Sequence, residues 1–222
     1  INDARALLDC NQHPEQKACK IKVRFQYHSL REQAFDNIFA QTLHAFEAAS
    51  RSKNNLVGVN LVQPEDGVIS LRDYHQHMKL FGYMHSLYPD VYISLHAGEI
   101  TPELVSAKDM RFHIRDAILT GKANRIGHGV DILQEDDAED TLQYMAKHKI
   151  AVEINLSSNL AILKIKGTEH SLKEYLQHHV PVVLSTDDQG VLRIDLTHEY
   201  QLAVEDQSID YPTLKLINRN AL

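Results

Sequence analysis

The feature that most constrains this chain is an alternation repeated along its length. Short, nearly continuous apolar runs occur at residues 20–27, 56–62, 91–97, 123–127, 149–156 and 180–186. Between them, apolar residues recur every three or four positions. Ala34, Ile38, Thr42 and Phe46 form one stripe, with Phe35, Phe39 and Leu43 beside it. Leu71, Tyr74, Met78, Phe81 and Met84 form a second, and Met110, Ile114, Ala117 and Ile118 a third. Leu142 with Met145, and Leu172 with Tyr175 and Leu176, mark two more, and residues 196–205 and 211–221 read as the last helices. Continuous apolar runs suit strands buried on both faces of a parallel sheet. Strand followed by helix, six times over, requires parallel strands joined by helical crossovers.

A doubly wound sheet and a (β/α)8 barrel both satisfy this order. A complete barrel needs roughly 250 residues and eight units, and 222 residues supply about six, preceded by a short helix at residues 4–8 with Asp3 as its N-cap. The expected fold is therefore α/β, a partial TIM barrel, with residues 1–222 forming a single barrel portion. Two sheet edges left open would invite pairing with another chain, hence a possible homo-oligomer. Net charge of −7 argues against a nucleic-acid partner, and no apolar run approaches the ~20 residues that span a bilayer. Residues 1–8 do not read as a signal peptide, and there is no initiator Met, so compartment stays unknown. Cys10 and Cys19 are the only cysteines. They cannot form a four-cysteine zinc site, and two free thiols are expected in preference to a local disulfide.

Chemistry-bearing residues gather where three of these runs end. His96 closes one, with Gly98 and Glu99 just beyond, and imidazole is a good zinc ligand. Gly98 allows close backbone approach to a ligand. His128 follows the next but stands between Gly127 and Gly129, which exposes its ring. Asp187 and Asp188 follow the last. Adjacent carboxylates there repel, and a cation or hydrogen-bond donor relieves that cost. Helix N-capping accounts for one of the two, not both. Carboxyl ends of barrel strands form the face that carries active sites.

With these residues in place, the chain resembles the adenosine deaminase family of metal-dependent barrel hydrolases. The matching pieces are Ser94-Leu95-His96-Ala97-Gly98-Glu99, Arg125-Ile126-Gly127-His128-Gly129, Val152-Glu153-Ile154-Asn155-Leu156-Ser157-Ser158-Asn159 and Leu184-Ser185-Thr186-Asp187-Asp188. The resemblance implies a zinc-dependent purine nucleoside deaminase that hydrolyses adenosine or deoxyadenosine. It implies His96 and Asp187 as zinc ligands and Glu99 as the acid that protonates the purine ring nitrogen. It further implies that His128 orients the attacking water and helps take up its proton, and that Asp188 and Gly98 contact the substrate. The family's first strand also carries a His-x-His metal pair, which nothing before residue 20 matches. The chain is accordingly read as the carboxyl-terminal part of a longer deaminase, inactive alone and holding zinc weakly. His75-Gln76-His77 does not substitute for that pair: side chains at i and i+2 of a helix point about 200° apart, and both are assigned to a solvated helix face. Asn60 stands where the family usually has Asp. His44, His85, His113, His148, His170, His178, His179 and His198 are assigned to helix or loop surfaces. Two other readings stay open: a related barrel hydrolase acting on another aminated purine or a cyclic amide, and a non-catalytic binding or growth-factor-like module.

Overall fold

A computed structural model describes residues 1–52 and 55–221. Six parallel strands form one sheet in the order β1-β2-β3-β4-β5-β6, so sequence neighbours are spatial neighbours throughout. They are β1 (Phe25–Leu30), β2 (Leu56–Val62), β3 (Tyr92–Ala97), β4 (Arg125–His128), β5 (Ala151–Ile154) and β6 (Val182–Leu184). The helices are α1 (Asn2–Leu7), α2 (Phe35–Arg51), α3 (Val68–Leu87), α4 (His113–Leu119), α5 (Ala138–His148), α6 (Leu156–Leu163), α7 (Leu172–Gln177), α8 (Gln189–Leu192), α9 (Leu196–Glu205) and α10 (Tyr211–Asn220). This is the partial α/β barrel that the alternation implies.

The stripes become the core. Ile38, Thr42 and Phe46 of α2 are fully buried, as are Met78, Phe81 and Met84 of α3. Their apolar members pack against Val59, Leu61, Ile93 and Leu95 in one continuous cluster with the strands. Each large apolar side chain buried there contributes roughly 1.5–3 kcal/mol relative to exposure. Local signals set several ends. Asp195 caps α9 by accepting from the His198 N–H at 2.9 Å, and Asp210 caps α10 by accepting from Thr213 N–H at 3.0 Å, with Pro212 in the first turn. Asn220 then donates to the Val182 carbonyl at 3.0 Å, tying α10 to β6.

Several expectations need correction. β1 begins at Phe25, not residue 20, because its ladder starts where Phe25 meets Leu56 and residues 20–24 are exposed. Ile1, not Asp3, occupies the N-cap of α1, and no side chain caps it. Met110 lies outside α4, in a short turn, and packs with Ile100 and Val105 in a separate small cluster. Residues 156–163 form a helix that no apolar stripe announces, and Leu156, assigned to a strand end, is its first residue. Cys10 and Cys19 form a disulfide with a Cα–Cα distance of 5.3 Å. The turn after α1 and the short helical turn Lys17–Lys20 fold back on each other and bring the two sulfurs together. Both cysteines are buried, but neither belongs to the main core.

Candidate active site

Parallel register places His96 beside Gly127 and Ala97 beside His128, so β3 and β4 end level. The His96 and His128 rings lie 4.8 Å apart between centroids. His128 has φ of 71°, an uncommon conformation for a non-glycine residue. Its surroundings enforce it. Gly129 donates to the Ala97 carbonyl at 3.0 Å, and Val130 to the Gly98 carbonyl at 2.8 Å. Tyr175 Oη and Ser171 Oγ donate to the Gly129 carbonyl at 2.6 and 3.1 Å. Strain of this kind persists only where neighbours over-determine the backbone, and it concentrates at functional sites.

Asp187 arrives from the loop after β6. Ser158 Oγ of α6 donates to its Oδ2 at 2.7 Å, supplying the hydrogen-bond donor that an acidic pair needs. Donor atoms of His96, His128 and Asp187 all lie within 4.8 Å of one another, a cluster able to hold a metal ion. The set fits a divalent cation of the zinc type, for which imidazole and carboxylate are ordinary ligands. His96 is prepared for that role. Its Nδ1 faces Asn60 Oδ1 at 3.1 Å, and donation there leaves the Nε2 lone pair free. Burial, then the nearby His128, hold the His96 ring well below the usual imidazole pKa, so it is neutral at pH 7.

Glu99 lies beside this cluster. Its Oε1 is buried without a hydrogen-bond partner and sits 3.2 Å from His128 Nδ1. Burial raises its pKa to about 8, helped by the negative charges of Glu65 and Asp187. A carboxyl with that pKa is protonated at neutral pH and is able to act as an acid. Its backbone is anchored from below. Glu65, fully buried in the loop after β2, accepts from Gly98 N–H at 2.9 Å and from Glu99 N–H at 2.8 Å. His113 Nδ1 lies 2.6 Å from the same carboxylate. Burial alone would raise the Glu65 pKa, but the hydrogen bond and charge of His113, with Arg31 and Gly98, bring it below its ordinary value.

Gly98 has φ of +81°, and a Cβ there would sit 2.5 Å from Asp131 Oδ1 and 2.8 Å from Ile114 Cδ1. Its glycine is therefore demanded by the protein's own packing. Asp188 is exposed to solvent in part and occupies the N-cap position of α8 without a side-chain capping bond, so capping does not explain it. A cavity of about 1110 Å³ lies at the opposite ends of the strands, lined by Phe25, Val57, Tyr92 and Asn124 among others, and none of these site residues lines it.

Three histidines assigned to surfaces are buried: His77, His113 and His170. His113 serves Glu65, and His170 Nε2 lies 3.0 Å from Asn159 Oδ1, close to His128. In the His75–His77 pair, only His75 faces solvent, where it meets Asp116 at 2.7 Å. His77 lies inside, parallel to Phe35 with ring centroids 6.5 Å apart. The angle between them, which bars a shared metal, also sends one ring inward. Ser158 and Asn159 stood within a recognised motif, yet their roles, like that of Glu65, depend on contacts 29, 31 and 33–48 residues away in sequence.

Parallel strands wrapped by helices, with a histidine–glutamate–histidine–aspartate cluster at their carboxyl ends, define the active-site face of a barrel enzyme. The sequence pattern of the adenosine deaminase family matches residues 5–222, and the chain belongs to that family. It is 36% identical over 132 residues to an adenosine deaminase of Edwardsiella ictaluri, covering 59% of this chain and 36% of the relative. Against an adenosine deaminase of Vibrio cholerae it is 30% identical over 177 residues, covering 79% of this chain and 48% of the relative. The chain thus spans less than half the length of these relatives. Among solved structures, the N6-methyl-AMP deaminase of Arabidopsis thaliana superposes with a TM-score of 0.68 at 24% identity, covering 90% of this chain and 53% of that one. An adenine deaminase of Arthrobacter aurescens gives 0.67 at 18% identity, covering 89% and 54%. A Burkholderia ambifaria amidohydrolase gives 0.71 at 15% identity, covering 98% and 56%. These likenesses support the barrel fold.

Proposed function

We propose that this chain carries most of the active-site face of a zinc-dependent deaminase that hydrolyses adenosine or deoxyadenosine to the inosine nucleoside and ammonia. The observation that carries the reading is the convergence of Glu99 with His96, His128 and Asp187 at the carboxyl ends of β3, β4 and β6. Purine deamination needs these parts together. A proton must reach the ring nitrogen beside the amino-bearing carbon while water adds to that carbon, and Glu99 is placed and protonated to give it. His128 orients the attacking oxygen. Asp188, at the mouth, is free to accept from the imidazole side of the purine, with Gly98 beside Glu99 shaping the pocket floor. His96 and Asp187 would hold zinc, which when bound supplies the Lewis acidity that makes water nucleophilic at neutral pH.

Without a His-x-His pair, these two ligands should bind zinc weakly, since catalytic zinc sites ordinarily use three protein ligands. The only His-x-His in the sequence is the one that α3 splits. The test is ammonia release by the intact protein and by this chain, with adenosine, deoxyadenosine, AMP and adenine as substrates. Expected are turnover of the nucleosides by the intact protein, a loss of about 10²–10⁴ on Glu99→Gln, and negligible release by the chain alone. An intact protein that ignores adenosine and deoxyadenosine overturns the substrate assignment, and an active isolated chain overturns the requirement for the further ligands.

A further inference from the structure

We propose that His170 and Asn159 are positioning residues that lock His128 as the tautomer with its proton on Nε2. The ring then presents a donor, not a lone pair, to the space between His96 and Asp187. The catalytic meaning of this rests on the deaminase reading, whereas the tautomer itself needs neither metal nor substrate.

One group at the start of this hydrogen-bond chain has a fixed polarity. The backbone N–H of Leu172 is always a donor, and it donates to His170 Nδ1 at 3.1 Å. A neutral imidazole that accepts at one nitrogen carries its proton on the other. His170 Nε2–H therefore donates to the atom it faces, Asn159 Oδ1, at 3.0 Å. That contact orients the amide: its oxygen turns to His170, and its NH2 turns to His128. Asn159 Nδ2 lies 3.0 Å from His128 Nδ1 and donates to it. His128 Nδ1 is thus an acceptor, and the proton is left on Nε2. Asn155 Nδ2, 3.3 Å from the same Nδ1, adds a second donor. Glu99 Oε1 lies at a similar distance without forming a hydrogen bond, so it does not draw a proton to Nδ1.

His128, Asn159 and His170 are all buried, which keeps solvent from interrupting the chain. Burial also holds the His170 ring neutral at pH 7, lowering its pKa to about 4. At the far end, His128 Nε2 lies 3.9 Å from Asp187 Oδ2, the oxygen that Ser158 already holds. A nitrogen bearing a proton cannot coordinate a cation. The three clustered donors consequently divide: His96 and Asp187 remain for a metal, and His128 is reserved to donate a hydrogen bond to the attacking oxygen. The expectation that His128 also takes up the water's proton needs an Nε2 lone pair, which this tautomer lacks.

The experiment is ring-¹⁵N histidine NMR on the full chain at neutral pH without metal, with the His128 signals identified by their loss in His128→Gln. Expected in the wild type are an Nδ1 without a bound proton and an Nε2 with a direct one-bond proton correlation. His170→Gln keeps a donor facing Asn159 and preserves this pattern. Asn159→Asp offers an acceptor to both rings and moves the His128 proton to Nδ1, abolishing the Nε2 correlation. His170→Leu leaves the amide free to turn and yields a mixture of tautomers. A wild-type proton on Nδ1 overturns the proposal, with no variant needed. An unchanged Nε2–H in Asn159→Asp overturns the role of the relay. Deamination by the intact protein is scored separately. A confirmed tautomer without deamination sinks only the functional reading, and deamination with an Nδ1 proton sinks only the relay.

Discussion

Replacing Glu65 by Ala should loosen the loop that carries Glu99, and the structure sets the size of the effect. One buried carboxylate receives Gly98 N–H, Glu99 N–H and His113 Nδ1–H, all within 2.9 Å. Its loss strands three donors away from water. Each stranded donor costs about 1–3 kcal/mol, and removing one member of a buried charged pair costs about 3–5 kcal/mol in total. Because the donors share one acceptor, the contributions do not simply add, and a loss of about 3–5 kcal/mol is expected. Glu65→Gln retains one acceptor oxygen and should lose about 2 kcal/mol less. The pH dependence has a definite sign. The folded-state pKa of Glu65 is lowered from 4.5, so its contribution is fully present above about that pH. It is lost as pH falls through the lower folded-state value. Urea unfolding of wild type and Glu65→Ala should therefore differ fully at pH 7, and the gap should narrow below pH 4.5. Amide exchange at Gly98 and Glu99 should accelerate in the variant. A destabilisation under about 1 kcal/mol at pH 7, or a gap that widens in acid, refutes the clamp.

Gly98→Ala should destabilise by at least about 2 kcal/mol, because it combines a positive φ with a Cβ driven into Asp131 and Ile114. The urea midpoint measures this, and a neutral result would show that the loop has room to move. Reducing the Cys10–Cys19 disulfide, which closes a loop of sequence separation 9, should change global stability by less than about 0.5 kcal/mol. The loop-entropy value of roughly 2.5–3 kcal/mol applies only if that segment unfolds with the core. Urea unfolding with and without reductant decides, and a shift of the full size would place the first residues inside the cooperative unit.

Much of the fold was legible because its signals are local. β2 and α9 have the bounds that periodicity assigns them, residues 56–62 and 196–205. The quartet of His96, Glu99, His128 and Asp187 was legible for a similar reason: each member lies at or just beyond the end of an apolar run, and run ends are readable without knowing neighbours. What was not legible was the support beneath it. His113 and His170 read as surface residues because polar side chains usually are, and no side chain nearby in sequence partners them. Their partners are Glu65, 48 residues away, and Asn159, 11 residues away in a helix that periodicity did not reveal. α6 escaped notice because its eight residues are apolar on most sides, with no polar face to set a helical period.

By itself the sequence determined the order of strands and helices, the parallel sheet they must form, and the residues that its strand ends present. Those follow from short-range patterns of burial and from backbone preferences within a few residues. Tertiary structure decided which of those residues act together and in what state. Only packing buries Glu99 until it keeps its proton, seats Glu65 under its backbone, and runs a hydrogen-bond chain from Leu172 to His128. Desolvation and hydrogen-bond polarity belong to the assembled surroundings of a side chain, and no stretch of sequence carries them alone.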